Sequence, residues 1–251
     1  MVRLFLFGPW PFQLEVTSIA RQRGHLVRKL FFPIVLGVSG VAVLLYLGFW
    51  QLERLAWKEG VLSEIDARLT AAPIDLPAAP TEATDEYSAV KLSGVVAGEE
   101  LHVLTSGTAA GTGYQVITAV ELADGRRVLL DLGLLPLELK SESSENAQVD
   151  IVGNLIWPDD VNDSTPAPDL EKNIWFGRDV VAMSDSLGTE PLMVVVAEMS
   201  PPDPRLTPLP VDTSTIKNDH WEYAVTWFLL AVVWAAMSLY WIIRTTRQKD
   251  A

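Results

Sequence analysis

Two uncharged apolar runs, Leu30 to Leu52 and Tyr223 to Ile243, bracket a middle segment in which apolar and polar positions alternate or fall into short groups. Each run exceeds the roughly 20 residues that a helix rising about 1.5 Å per residue needs to cross a hydrocarbon core about 30 Å thick. Neither carries a charge at its centre, where one costs about 2.5–3.5 kcal/mol on insertion scales, and ionisable residues crowd both ends. The pattern predicts two membrane-spanning helices; a pair of buried core helices is the competing reading. Pro33 falls in the first turn of the first run, where a missing amide donor costs little, and Gly37, Gly40 and Gly48 are acceptable in a membrane helix.

Helical periodicity continues past the first run from Glu53 to Leu69, with Leu55, Leu62 and Leu69 spaced by seven, so the span is expected to project as a stalk helix until Pro73, Pro77 and Pro80 end it. The pattern then turns to strands. Val90, Leu92, Val95 and Val96 flank Gly94, and Leu101, Val103 and Thr105 alternate. Tyr114 to Val120 and Arg126 to Leu130 are separated by Asp124-Gly125, a pair that tolerates positive φ and predicts a hairpin. Lys140 to Gln148 reads as an exposed loop, Val149 to Trp157 as a strand, and Asp159 to Lys172 as a polar surface excursion. Val180 to Leu187 fits two helical turns stopped by Gly188, Leu192 to Ala197 is a last strand, and the prolines from Pro201 to Pro210 form a stiff connector. The predicted fold class is membrane α+β: two transmembrane helices flanking a mainly antiparallel β extracytoplasmic domain with a short helix.

Charge sets the orientation. Arg21, Arg23, Arg28 and Lys29 precede the first span and Arg244, Arg247 and Lys249 follow the second, so both termini are expected in the cytoplasm. Segment 53–222 holds 11 Lys or Arg against 30 Asp or Glu, a balance of −19, which excludes nucleic acid as a partner because binding it demands a basic face. The predicted organisation is a cytoplasmic segment 1–29, a span over 30–52, a periplasmic mainly β domain with its stalk helix over 53–222, a second span over 223–243 and a cytoplasmic tail 244–251, in a cell inner membrane. No cysteine occurs, so disulfides, thiolate metal sites and a Cys nucleophile are excluded. The prolines and Gly8 that interrupt Leu4 to Phe12 argue against a cleaved signal peptide.

Catalytic motifs are missing. There is no phosphate loop, no Gly-x-Ser-x-Gly elbow and no His-x-x-x-His or Glu-x-x-His pair, and the glycines from Gly107 to Gly113 lack the Lys-Ser/Thr that a phosphate loop needs. An enzyme is not expected. His25 reads as a surface side chain among arginines and His102 as a strand residue beside Glu99 and Glu100; neither is assigned a role.

Three strings are more specific. The first span ends Leu47-Gly48-Phe49-Trp50-Gln51-Leu52-Glu53-Arg54-Leu55-Ala56-Trp57-Lys58, and the second opens Asn218-Asp219-His220-Trp221-Glu222-Tyr223-Ala224-Val225-Thr226-Trp227-Phe228. Between them stands Asn173-Ile174-Trp175-Phe176-Gly177-Arg178-Asp179. In this order, around one domain between two spans, the chain resembles the Surfeit locus protein 1 family (Shy1 in yeast), assembly factors for haem-copper cytochrome c oxidase. It departs from the family at Leu132-Gly133-Leu134-Leu135-Pro136, where an Arg-Gly-Trp-x-Pro run is usual, and at Asp219, where a second Asn is common.

The resemblance implies help in maturing oxidase subunit I, with haem a as a transient ligand, haem a synthase as a further partner, and His220 as the ligand to the haem iron. The alternative is a haem-free structural chaperone of subunit I. The residues admit both. Tyr223, Ala224 and Trp227 lie three, four and seven positions after His220, a helical face on which a flat ring could rest, but His220 could equally be a hydrogen-bond partner at a helix entry. Trp50 and Trp57 flank Arg54 on the first helix, and Arg54 or Lys58 could pair with a haem propionate. The same tryptophans suit a membrane interface, and the same cations could snorkel or pair with Glu53 and Glu222.

Overall fold

A computed structural model describes residues 12–247 other than 109, 143–145 and 215, with side chains from residue 31 onward. The stretch from Leu4, the side chains of Arg21, Arg23, His25, Arg28 and Lys29, and Lys249 lie outside the described residues. Two compact units divide the chain: one comprises residues up to Gly60 together with those from Lys217 on, the other Val61–Ile216.

The first unit pairs α1 (Phe12–Leu69), through its part up to Gly60, with α4 (His220–Arg247). Both helices are long and apolar enough to cross a membrane. Pro33 proves to be inside α1, not in its first turn. The helix-forming residues on either side of it outweigh the one hydrogen bond it removes. Large apolar side chains stay on the outside of the pair, among them Phe32 at 71% and Val232 at 66% exposure, as expected of helices solvated by lipid tails.

The second unit is built on a six-stranded sheet: β1 (Ile74–Asp75), β2 (Ala89–Thr108), β3 (Gly111–Leu122), β4 (Arg127–Pro136), β5 (Ala147–Ile156) and β6 (Glu190–Ser200). Strand order is β1-β2-β3-β4-β6-β5, and β5 pairs back onto β2, so five strands close into a barrel with β1 added at the side. The sheet is mixed but mainly antiparallel, as expected: among the described residues β2–β3, β2–β5, β3–β4 and β5–β6 are antiparallel, while β1 runs parallel to β2 and β4 parallel to β6. The second parallel pair arises because the chain leaves β4, crosses through β5 and the polar excursion, and reaches β6 from the short helix α3 (Val180–Leu187), which contacts both β4 and β6.

Alternation explains the barrel. Val90, Leu92 and Val96 of β2, Val128, Leu130 and Leu132 of β4, Val149 and Ile151 of β5, and Leu192, Val194 and Val196 of β6 form one buried cluster. Residues of opposite parity, Leu101, Val103, Ile117, Leu129 and Met193, form a second one with Val180, Met183 and Leu187 of α3 and with Trp175. The predicted hairpin is present, with Leu122 N donating to Arg126 O at 2.8 Å and Gly125 at φ +83°. Asp124 is not in the left-handed region, so the turn is a three-residue loop closed by Gly125 rather than a two-residue turn. The long β2 bends at a bulge between Val96 and Glu100, and the buried Thr118 hydroxyl, 2.9 Å from Ala97 O and 2.7 Å from Glu99 O, serves the carbonyls the bulge frees. A one-turn helix, α2 (Glu82–Asp85), was not predicted; four residues are too few for a periodic signal.

Candidate functional site

The two long helices meet through glycine. A Cβ on Gly48 would stand 2.6 Å from the Phe228 ring, one on Gly40 2.2 Å from Trp234 Nε1, and one on Gly37 3.0 Å from Ser238 Cβ. Hydrogen at these positions lets the backbones approach, and Trp234 Nε1 uses the approach to donate to Gly37 O at 3.2 Å. On α4 the matching stripe carries Ala224 and Ala231, exposed by 0% and 3%, while Phe49 meets Phe228 edge-on at 5.3 Å.

His220 opens α4 at one end of this seam. Asp219 occupies the N-cap position, its carbonyl accepting from Tyr223 N at 3.1 Å and its carboxylate meeting Lys217 Nζ at 2.7 Å. Lys58 of α1 donates to the Lys217 carbonyl, which fastens the lead-in of α4 to α1. About two helical turns back from Lys58 along α1, the His220 ring is held by Gln51, a buried polar residue on the α1 seam: His220 Nδ1 lies 2.7 Å from Gln51 Oε1. With the Gln51 amide oxygen as acceptor, a neutral His220 ring carries its hydrogen on Nδ1 and keeps the lone pair on Nε2. Nε2 has no hydrogen-bond partner among the described residues. Two further atoms in these segments, Asn218 Oδ1 and Trp227 Nε1, are buried without a partner among the described residues.

The predicted site residues separate into two groups. His220 and Trp227 belong to the half-buried region of α4 beside α1. Trp50, Arg54 and Trp57 gather on an exposed flank of α1, where the Arg54 guanidinium stacks 3.9 Å from the centre of the Trp57 ring. Tyr223 is 56% exposed. Of the three residues on the expected face, Ala224 is wholly buried in the seam, Trp227 is half-buried and Tyr223 is exposed. Among the described residues, neither Arg54 nor Lys58 pairs with Glu53 or Glu222. Sequence reasoning missed Gln51. Its signal was legible as one face, Gly37, Gly40, Gly48 and Gln51, in which an uncharged polar residue follows three glycines.

A single imidazole nitrogen without a protein partner can serve as an axial ligand, whereas a free metal ion needs several donors. No group of three or more His, Cys, Asp or Glu suited to a metal ion occurs among the described residues. The unpartnered Trp227 N–H adds a donor in the same stretch of helix.

The string Asn173 to Asp179 has a different job. Asn173 donates to Glu100 O at 2.6 Å; Trp175 N donates to His102 O and Leu104 N to Trp175 O, both at 2.8 Å. Arg178 Nη1 reaches Asp131 Oδ2 at 3.3 Å and its Nε reaches Asp160 Oδ2 at 2.6 Å. Asp179 caps α3 by accepting from Ala182 N at 3.0 Å, and Gly188 closes that helix at φ +64°. Asn173 and Arg178 thus tie the string to β2 and β4, while Asp179 caps the helix that packs against the barrel. His102 is buried, with Nε2 3.2 Å from a Glu100 carboxylate that also takes Arg205 at 2.8 Å, a structural network. The hydrogen bonds that Arg205 donates to Asp203 and Glu100 hold its guanidinium well above its ordinary pKa. At the departure Leu132-Gly133-Leu134, both leucines are buried, and Gly133, at φ +103°, has the Thr207 carbonyl 2.3 Å from where a Cβ would be, so glycine is required whatever flanks it.

A model of the SURF1 family matches residues 38–232, from the glycine seam of α1 through the first half of α4. The chain belongs to the SURF1 family. Surfeit locus protein 1 of Takifugu rubripes is 30% identical over 222 residues, covering 79% of this chain and 90% of that protein. Surfeit locus protein 1 of Rattus norvegicus is 29% identical over 225 residues, 80% of this chain and 72% of that protein. A SURF1-like protein of Rickettsia felis is 29% identical over 201 residues, 76% of this chain and 88% of that protein. Gln51, His220 and the clamp string all fall within the SURF1 family match.

Proposed function

We propose that this SURF1 family member is a membrane-anchored assembly factor for haem-copper cytochrome c oxidase that holds haem a through His220 and passes it to subunit I. The observation that carries the reading is the 2.7 Å contact between His220 Nδ1 and Gln51 Oε1, which leaves Nε2 as a ligand at the end of an apolar helix pair. Haem iron takes imidazole nitrogen as an axial ligand, and the macrocycle is lipophilic enough to sit beside the spans. His220 supplies the nitrogen; Tyr223 and Trp227 border it; Arg54, on the neighbouring flank, supplies a cation for a propionate.

The site suits transfer rather than storage. Between the two runs the chain carries only His102 and His220, and His102 is 6% exposed and engaged with Glu100, so one protein imidazole is available and the second axial position stays open for exchange. Handover needs no covalent chemistry by the protein. In this reading α1 and α4 span the inner membrane, the termini are cytoplasmic, the sheet domain is periplasmic, subunit I receives the haem and haem a synthase delivers it. Arg244 and Arg247 at the end of α4 support that orientation.

The test is an optical spectrum of the protein purified from cells that make haem a, wild type against His220→Ala at equal protein level. A haem a band lost in the variant is expected. A colourless wild type that still restores oxidase assembly would replace this reading with a haem-free chaperone of subunit I. Because the chain has no cysteine, a single cysteine introduced into the sheet domain reports orientation through an impermeant thiol reagent.

A further inference from the structure

We infer that Gln51 is a positioning residue for the proposed haem site: it fixes His220 as the Nδ1–H tautomer, presents Nε2 as the ligand atom and sets the basicity of that nitrogen. The inference rests on the haem reading and deepens it. Gln51 is 9% exposed on a seam that also carries Gly37, Gly40, Gly48, Ala224 and Ala231, where burying an amide is costly unless it is paired. Its oxygen meets His220 Nδ1 at 2.7 Å across a separation of 169 residues, so the pairing exists only because the glycine contacts bring the helices to one depth.

The chemistry follows from the two ring nitrogens. A free neutral imidazole samples both tautomers, and the form protonated at Nε2 has no lone pair there for a metal. An acceptor locked onto Nδ1 removes that form, orients the ring about its Cβ–Cγ bond and, by drawing on the Nδ1 hydrogen, increases electron density at Nε2. Gln51 cannot swing away cheaply, because its helix is pinned on either side by the Gly48–Phe228 contact and by the Lys58 hydrogen bond to the Lys217 carbonyl.

Two readouts separate this inference from the haem reading itself. In the full-length protein in detergent, labelled with ¹⁵N-histidine, three His rings are present and His220 is identified by its loss in His220→Asn. The haem-free wild type is expected to show His220 as Nδ1–H with an unprotonated Nε2; Gln51→Leu and the similarly shaped Gln51→Met are expected to show the Nε2–H form, and Gln51→Glu, which keeps an acceptor, to restore Nδ1–H. With purified haem a added, Gln51→Leu is expected to weaken binding by about 10- to 100-fold, as loss of an outer hydrogen bond to a metal-binding His does, whereas Gln51→Glu raises the iron–imidazole stretching frequency and lowers the reduction potential. A His220 tautomer that is the same in wild type, Gln51→Leu and Gln51→Met overturns the inference. If instead the tautomer follows residue 51 while the wild type binds no haem a, the haem reading fails and the tautomer control by Gln51 stands.

Discussion

Arg178 reaches Asp131, whose side chain has no exposure to solvent, at 3.3 Å, and so joins the middle family string to β4. The same carboxylate accepts from Gly133 N at 3.1 Å and from Gln115 Nε2 at 3.0 Å. Burial nevertheless dominates and pushes the Asp131 carboxyl above the usual carboxylate range, with Arg178 pulling against it.

Removing the guanidinium leaves a buried carboxylate without its cation, so Arg178→Leu is expected to destabilise the sheet domain by about 3–5 kcal/mol at neutral pH, measured by denaturant unfolding of the full-length protein. The loss depends on pH. A carboxyl whose folded pKa is raised contributes stability that is present below its unfolded value and disappears as pH rises through the folded value. Without Arg178 that folded value rises further, so the deficit of the variant narrows as the solution is acidified toward pH 4. Arg178→Leu combined with Asp131→Asn is expected to recover part of the loss; a double variant as unstable as the single one would contradict the assignment.

Glu190 behaves in the opposite sense. Arg126 grips it with two hydrogen bonds of 2.8 Å and donates a third, of 2.9 Å, to Pro77 O, tying the β3–β4 hairpin to the start of β6. Hydrogen bonding from Arg126 holds the Glu190 carboxyl below its ordinary value of 4.5. Its contribution is therefore present above about pH 4.5 and lost as pH falls through the depressed folded value. Thermal midpoints between pH 6 and pH 3 should fall more steeply in wild type than in Arg126→Leu. Parallel curves would remove the pair as a source of acid sensitivity.

The glycine seam can be tested by cross-linking. A Cβ at residue 37 would lie 3.0 Å from Ser238 Cβ, close to the 3.5–4.5 Å range of disulfides, so Gly37→Cys with Ser238→Cys should oxidise within one chain after a small outward shift. The absence of native cysteine makes the background clean. Adding Gly40→Leu, whose side chain would collide with Trp234, is expected to reduce the yield sharply; an unchanged yield would mean the helices do not depend on that contact.

Much of the fold was legible because it is local. The apolar runs, the Asp124-Gly125 hairpin and the Val180 to Leu187 helix stopped by Gly188 each depend on residues a few positions apart, and the structure has them where periodicity and turn chemistry put them. The candidate site was half legible: His220 and Trp227 were found by the strings that carry them, but Gln51 stood in a quoted string without a role, since nothing local says which side chain will face it.

The sequence by itself determined the two long helices, the strands with their inward and outward faces, the acidic middle and membership of the family, because these are properties of composition, period and short-range order. Tertiary structure alone decided that β5 closes on β2, that β4 and β6 run parallel, that the middle string clamps the barrel, and that Gln51 meets His220. Those contacts join residues far apart in the chain, and what selects them is the joint packing of whole faces, which no window of sequence contains.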